Sequence, residues 1–113
     1  MTAVDLTKKD CSRCKKKLLP LTPEQAKEQL AGLHEWSLVD GGHLLTKHFV
    51  FSSFKQTMRF VNAVAALAEE QGHHPDMAVS YGNVSVELTT HDVGGLSEND
   101  FILAAKIDHI PEE

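Results

Sequence analysis

Histidine and carboxylate side chains recur at short intervals in the second half of this chain, and they are the residues best suited to chemistry. His73 and His74 are adjacent and directly precede Pro75. The further members of the set are Glu69, Tyr81, His91 and Asp100. Histidine can both give and take a proton at neutral pH, because its unperturbed pKa is about 6.5. The set therefore predicts general acid–base chemistry.

The two acidic members of this set also have ordinary structural interpretations. Glu69 could be a solvated residue in the last turn of a helix. Asp100 follows Ser97 by three residues and could complete a helix capping box. Two histidines in a row at a helix exit, with a third after a strand, nevertheless favour a functional site. The other histidines lack such a grouping and are predicted to be surface residues: His34, His43, His48 and His109.

Zinc binding is an alternative interpretation of the three grouped histidines, since three imidazoles can form a catalytic zinc site. The chain has no pair of histidines four residues apart on one predicted helix, which metalloenzymes often use. Adjacent residues of an extended segment point in opposite directions and rarely converge on one ion. A site without metal is therefore the favoured interpretation.

The size of the chain limits what it can be. Its 113 residues fit one compact domain with a modest core, so assembly into a homodimer or homotetramer is a plausible way to bury more apolar surface. No apolar run reaches about 18 residues, and residues 1–5 do not begin a secretory signal. We expect a cytoplasmic protein without membrane association.

Charge is distributed unevenly along the chain. The net charge is −5, yet residues 1–17 carry six of the eleven basic side chains and only two acidic ones. The rest of the chain is therefore strongly acidic, which argues against direct contact with nucleic acid. Residues 1–19 are predicted to be a flexible basic leader, and residues 20–113 the folded domain.

Cys11 and Cys14 are the two cysteines of the chain, and they form a Cys-x-x-Cys pair within the leader. Such a pair is half of a structural zinc site, which a second chain or a histidine could complete. A redox pair is another alternative, although the strand-then-helix context of thioredoxin-like motifs is absent. Two reduced thiols without a chemical role are the third alternative, and the sequence leaves all three open.

Three helices are predicted from their capping residues. The first begins after Thr22, with Pro23 at its first position and Gln25 at its third, and ends near Gly32. The longest begins after Ser53 and ends at Gly72, and its predicted apolar stripe consists of Phe54, Met58, Val61, Ala65 and Ala68, widened by Phe60, Val64 and Leu67. The third begins after Ser97, and its apolar positions include Phe101, Ile102, Ala104 and Ala105.

Two hairpins are predicted between the helices. Residues 36–39 and 44–51 flank a glycine-containing turn, and residues 77–81 and 84–90 flank Gly82-Asn83, which is typical of a type II′ turn. Pairing Tyr81 with Val84 would give the second hairpin one apolar face. The residues of this face would be Met77, Val79, Tyr81, Val84, Val86 and Leu88. The element order α-β-β-α-β-β-α predicts an α+β fold, a four-stranded antiparallel sheet with helices packed on one face.

The type and spacing of the chemical set resemble the signature of the pterin-4a-carbinolamine dehydratases. Seven positions match within residues 69–100, and the predicted element order is similar to that family's fold over residues 20–109. The resemblance implies the loss of water from a 4a-hydroxy-tetrahydropterin, giving a quinonoid dihydropterin, as in the recycling of tetrahydrobiopterin-type cofactors. It implies a small pterin as substrate, and neither a metal nor a cofactor.

The resemblance also implies roles for single residues. His73 and His91 would be the acid–base pair, His74 would hold the pterin, and Glu69 would orient His73 or stabilise its charge. All four are thereby assigned to the catalytic group. Three residues would shape the site, namely Pro75, Tyr81 and Asp100, and of these Pro75 and Asp100 would, like His74, contribute to substrate binding.

Two other functions stay open at this level. Members of the family also bind and stabilise transcription-factor dimers through a helical surface, so a non-enzymatic interaction protein is an alternative. A dehydratase-like protein acting on the pterin of molybdenum-cofactor metabolism is another. A complete set of proton-handling residues favours catalysis, because a scaffold does not need one.

Overall fold

The computed structural model describes residues 6–11 and 18–111 of the chain. Its three α-helices are α1 (Pro23–Leu30), α2 (Phe54–Gln71) and α3 (Glu98–Asp108). Its four strands are β1 (Ser37–Val39), β2 (Leu44–Val50), β3 (Asp76–Ser80) and β4 (Asn83–Leu88). The predicted order of elements is confirmed.

The strands form one antiparallel sheet in the order β1-β2-β4-β3. Alternate residues of the central strands β2 and β4 are buried, because one face of the sheet lies under the helices. The predicted α+β class is confirmed. The fully buried side chains that fill the space between sheet and helices include Leu45, Val84, Val86, Leu88, Phe60, Val64, Phe101, Ile102 and Leu103.

Capping side chains begin the helices where the sequence predicts. At α1 the backbone N–H of Gln25 donates to Thr22 Oγ1 at 3.1 Å, and Thr22 N–H donates to Gln25 Oε1 at 2.9 Å. At α2 the N–H of Gln56 donates to Ser53 Oγ at 3.1 Å. The Gln56 side chain, however, accepts from Ser52 rather than from Ser53, so the capping box is only half formed.

The predicted apolar stripe of α2 is rotated relative to the buried one. Phe60, Val64 and Ala68 face the core, whereas Phe54 is 51% exposed. Phe54 instead stacks on Tyr81, with ring centroids 6.4 Å apart. The row that begins at Phe54 and the row that begins at Phe60 both have helical spacing. Periodicity alone therefore does not tell which of the two rows the sheet will cover.

The hairpin between β3 and β4 is confirmed, but its predicted register is wrong by two residues. Ser80 pairs with Asn83, so Tyr81 and Gly82 form the turn. A shift of two residues leaves each side chain on the same face of the sheet, so the alternation of apolar residues cannot reveal it.

Close backbone contact explains the position of this turn. The N–H of Phe51 donates to the carbonyl of Gly82 at 2.7 Å, and Thr57 Oγ1 lies 2.8 Å from the carbonyl of Tyr81. A Cβ atom at Gly82 would lie only 2.6 Å from the carbonyl oxygen of Phe51. Glycine is therefore required here because the backbones approach closely.

The prediction of a flexible leader is wrong for residues 6–11. Leu6 and Cys11 are buried in the core cluster. The N–H of Cys11 donates to Gln71 Oε1 at 2.7 Å, and its Sγ lies 3.5 Å from the carbonyl oxygen of Asn99. This segment therefore packs against the end of α2 and the start of α3. Cys14 lies outside the described residues, and with it the predicted Cys-x-x-Cys pair.

A buried ion pair connects Asp108, at the end of α3, with Lys47 of β2. Lys47 Nζ lies 2.8 Å from Asp108 Oδ1, and both side chains are about nine-tenths buried. Trp36 Nε1 donates to the same oxygen at 2.9 Å. Among residues 6–11 and 18–111, no helix is long and apolar enough to cross a membrane.

Candidate active site

Three histidines line one hollow beside the end of α2. The hollow has a volume of about 240 Å³, and its walls are Gly72, His73, His74, Thr89, Thr90, His91 and Asp92. The segment after α2 supplies one wall, and the segment after β4 supplies the other. The two stretches are adjacent because β4 lies beside the strand that follows α2.

The end of α2 sets the position of His73 and His74. Gly72 adopts a left-handed conformation, with φ of 67°, and its N–H donates to the carbonyl of Ala68 at 2.9 Å. This is the usual way for glycine to end a helix. Pro75 then favours an extended conformation at the residue before it. The two neighbouring imidazoles consequently have different surroundings: His73 is buried and His74 is exposed.

His73 is held by a buried carboxylate. Its Nε2 lies 2.6 Å from Asp100 Oδ1, and the two side chains are 6% and 0% exposed. The carboxylate accepts this hydrogen bond, so Nε2 of the imidazole carries a proton. A buried charged acceptor gives a strong hydrogen bond and fixes the orientation of the ring.

The carboxylate of Asp100 is itself held in place from two directions. Its Oδ2 accepts from Thr90 Oγ1 at 2.8 Å and from the N–H of Ser97 at 2.9 Å. The hydroxyl of Ser97 lies 2.8 Å from Thr90 Oγ1 and must donate to it, since the proton of Thr90 is already given to Asp100. One side chain thus caps α3, as the sequence predicts, and also anchors a histidine of the hollow.

Glu69 contacts a different histidine from the one expected. Its Oε1 lies 3.2 Å from Nε2 of His74, and both side chains are largely exposed. Glu69 was expected to orient His73, but in the structure it contacts His74, and Asp100 contacts His73. Asp100 was expected to contribute to substrate binding, and its side chain is wholly buried, so that role stays a prediction.

A short closed loop positions His91. Thr90 N–H donates to the carbonyl of Gly95 at 2.9 Å, and Gly94, with φ of 73°, donates to the carbonyl of His91 at 3.0 Å. The loop therefore turns back on itself within six residues. His91 is exposed at its start, next to the buried Thr90 that contacts Asp100.

Four residues of the predicted set do not line the hollow. Glu69 and Asp100 lie behind its histidines, as described above, and the other two are Tyr81 and Pro75. Tyr81 lies in the β3–β4 turn and is 68% exposed beside Phe54. Pro75 is half-buried and directs the chain from α2 into β3. Sequence reasoning missed Thr90, although a hydroxyl residue directly before His91 was a visible signal.

Within the described ranges, no three side chains of His, Cys, Asp or Glu are grouped so that they could hold a metal ion. Every buried side-chain nitrogen or oxygen of these ranges has a hydrogen-bond partner. The buried polar groups beside the hollow therefore satisfy one another.

The chain is similar in sequence to known proteins over most of its length. Residues 19–110 match the family model for pterin 4 alpha carbinolamine dehydratase. The chain is 46% identical over 107 residues to a protein of Nitrosospira multiformis, covering 95% of this chain and 93% of that one. It is 41% identical over 113 residues to a protein of Methylococcus capsulatus, covering 100% and 99%. Both relatives bear the provisional name pterin-4-alpha-carbinolamine dehydratase.

Solved structures resemble the fold. A transcriptional coactivator/pterin dehydratase from Brucella melitensis is 35% identical, with a TM-score of 0.75 over 79% of this chain and 95% of that one. A pterin dehydratase-like protein identified as a RuBisCO assembly factor is 34% identical, with a TM-score of 0.58 over 66% and 87%. The chain belongs to the pterin 4 alpha carbinolamine dehydratase family.

Proposed function

We propose that this protein removes water from a 4a-hydroxy-tetrahydropterin to give the quinonoid dihydropterin. The observation that carries this proposal is one hollow lined by three imidazoles, of which one is locked to a buried carboxylate. The reaction needs a proton at the departing C4a hydroxyl and the loss of a proton from ring N5. The N5 lone pair expels the hydroxyl as water. Positioned imidazoles suit both proton transfers.

His74 and His91 are the residues that move protons in this proposal. Both are exposed at the hollow, so each can reach a bound ring and exchange protons with solvent afterwards. They lie on different walls, one after α2 and the other after β4, which would let one act on the hydroxyl and the other on N5. A well-placed acid or base contributes about 10²- to 10⁴-fold to a rate.

His73 is a positioning residue in this proposal. Its side chain is 6% exposed and its Nε2–H is committed to Asp100. The acid–base role that the family resemblance implies for His73 passes to His74, since the exposed neighbour is better placed to exchange a proton. His73 would form a fixed wall against which the flat pterin lies.

Glu69 assists His74 rather than His73. Its carboxylate accepts from Nε2 of His74, which leaves Nδ1 of that ring to serve the substrate. The pair is exposed, so it orients the ring with little effect on folding stability.

The test is the ultraviolet decay of a freshly generated 4a-carbinolamine, followed with and without the purified protein. We expect the protein to accelerate the decay and a chelator to leave this acceleration unchanged. Unaltered decay would refute the proposal. Loss of the acceleration with chelator would favour the zinc alternative.

An interaction protein is the second candidate function, supported by the apolar side chains that stay exposed. Phe54, Tyr81, Val50 and Val79 are 41–68% exposed, and the first two stack on each other. Two structural relatives are named a coactivator and an assembly factor.

Self-association is a separate use of the same exposed side chains. We propose that Phe54, Tyr81, Val50 and Val79 contact a second copy of the chain in a homodimer or homotetramer in the cytoplasm. Sedimentation of the wild type and of Phe54→Ser would test the assembly.

A further inference from the structure

Three contacts fix the position of His43 beside the loop that carries His91. The ring Nδ1 of His43 lies 2.9 Å from the carbonyl oxygen of Asp40. Its own carbonyl accepts from Thr89 Oγ1 at 2.8 Å. A Cβ atom at Gly95 would lie 3.0 Å from Cδ2 of the ring, so the ring packs directly on that glycine. His43 is therefore a fixed point between the turn before β2 and the loop after β4.

The turn between β1 and β2 sets the direction of the His43 ring. Asp40, Gly41 and Gly42 have φ of 54°, 65° and 88°. A positive φ is rare for a residue such as Asp40 and persists only where neighbouring contacts stabilise it. The carbonyl of Asp40 accepts from the backbone N–H of His43 at 3.2 Å and also contacts its ring. Because a carbonyl oxygen only accepts, Nδ1 of the ring carries the proton.

The loop of His91 is held at both of its ends. Thr90 and Gly95 form an isolated antiparallel bridge, in which the N–H of each donates to the carbonyl of the other, at 2.9 and 3.4 Å. The Thr90 end is held by the hydrogen bond of its hydroxyl to Asp100. The Gly95 end lies under the ring of His43. His91 is exposed between these two ends, so its position depends on both.

The glycine at position 95 is explained by this contact and not by its backbone conformation. Gly95 does not have a positive φ, so its backbone is open to alanine. The described atoms within 4 Å of an added Cβ are Cδ2 and Cγ of His43, at 3.0 and 3.9 Å. The ring and an added methyl group would have to move apart by a few tenths of an ångström. Gly95 and His43 are therefore matched in size.

We propose that His43 is a positioning residue for His91. This inference rests on the proposed dehydration, in which His91 moves a proton. The ring of His43 holds Gly95, and Gly95 holds the loop through its two hydrogen bonds with Thr90. Proton transfer is sensitive to small displacements of the acid or base, so a loop that shifts would slow the reaction.

The first experiment measures kcat and KM separately for His43→Ala. We expect kcat to fall about tenfold while KM changes by less than about twofold, because the substrate loses no contact of its own. His43→Asn should recover most of the lost kcat, since its amide N–H can take the place of Nδ1–H and donate to Asp40. The control His34→Ala removes an exposed histidine away from the loop and should retain the wild-type kcat. A raised KM at unchanged kcat would overturn the positioning role.

The second experiment tests the contact between the ring and the glycine. Gly95→Ala alone should lower kcat about threefold, because the methyl group displaces the ring. In the His43→Ala background the space is open, so the same methyl group should cause no further loss. Losses that simply add in the double variant would overturn the contact as the cause.

Hydrogen exchange separates this inference from the proposed reaction. The N–H groups of Thr90 and Gly94 donate within the loop, so His43→Ala should speed their exchange about tenfold while the amides of the central strand β4 stay unchanged. Faster loop exchange in a protein that does not dehydrate a carbinolamine would leave the hold of His43 on the loop standing and refute the reaction. Unchanged loop exchange would overturn the positioning role, whatever the effect on kcat.

Discussion

Asp100 Oδ1 accepts a hydrogen bond from His73 Nε2 at 2.6 Å, although 27 positions separate the two residues along the chain. The same carboxylate accepts from Thr90 and from the backbone of Ser97. The link joins the loop after α2, the loop after β4 and the start of α3. It makes the geometry of the hollow depend on the packing of α3.

Asp100→Ala should lower both stability and activity. The change leaves three buried donors without their acceptor, and we expect the free energy of unfolding to fall by about 3 kcal/mol. Urea denaturation measures this loss. The control Glu69→Ala removes an exposed carboxylate, which should change stability by less than about 1 kcal/mol. Equal stability losses in the two variants would contradict the assigned importance of the buried network.

His74→Ala and His91→Ala should each slow carbinolamine dehydration by about 100-fold, because each removes one proton-transferring group. His74 and His91 are exposed, so the near-ultraviolet circular dichroism should be unchanged. The matched control is His48→Ala, which replaces an exposed histidine of the sheet and should retain the wild-type rate. Wild-type rates in both site variants would remove these roles.

Gly82→Ala should destabilise the protein by about 2 kcal/mol, because the new methyl group would lie 2.6 Å from the carbonyl oxygen of Phe51. Gly32→Ala is the control, since its methyl group would meet the nearest atom, the oxygen of Gln29, at an ordinary 3.6 Å. Thermal unfolding compares the two. A Gly82→Ala variant as stable as Gly32→Ala would show that the turn can move away from β2.

Asp108→Ala should cost about 3 kcal/mol, because it leaves the buried ammonium group of Lys47 without its partner. Trp36 loses its acceptor in the same change. Glu98→Ala breaks the exposed ion pair with Lys9 and should cost less than about 1 kcal/mol. Guanidinium unfolding distinguishes the two, and an Asp108→Ala cost as small as that of Glu98→Ala would mean that Lys47 reaches water.

Removal of residues 1–17 should reduce stability while the dehydration rate is retained. Leu6 and Cys11 belong to the core cluster, and Gln71 would lose its contact with the N–H of Cys11. Neither Leu6 nor Cys11 lines the hollow with the three histidines. The measurement is the decay assay at a temperature where the shortened protein is folded by circular dichroism. Loss of activity in the folded protein would give this segment a part in the reaction.

Local signals in the sequence predicted the frame of the fold well. Thr22, Ser53 and Ser97 mark helix starts because the orphan backbone donors there need side-chain acceptors, and this requirement is local. The hairpins followed from glycine-containing turns between apolar runs. The register of β3 and β4 was not predictable in the same way, because it depends on the contact of Gly82 with Phe51, far away in the chain.

The members of the site were predictable, but their pairing was not. The sequence drew attention to Glu69, His73 and Asp100 together. The family resemblance implied Glu69 as the partner of His73, yet the left-handed Gly72 ends the helix between them, and His73 is buried. The carboxylate that meets it comes from α3, and only tertiary packing brings it there.

The backbone N–H of Ser97 donates to the same carboxylate that His73 contacts. The hydrogen-exchange rate of this amide therefore reports on the Asp100–His73 contact, although Ser97 does not line the hollow. Slow exchange of this amide with solvent would indicate that the Asp100 carboxylate is held in place. Faster exchange would indicate that its hydrogen bond with the Ser97 N–H opens. A single resonance in a nuclear magnetic resonance spectrum could thus follow the order of the hydrogen-bonded network around Asp100 during titration, heating or ligand addition.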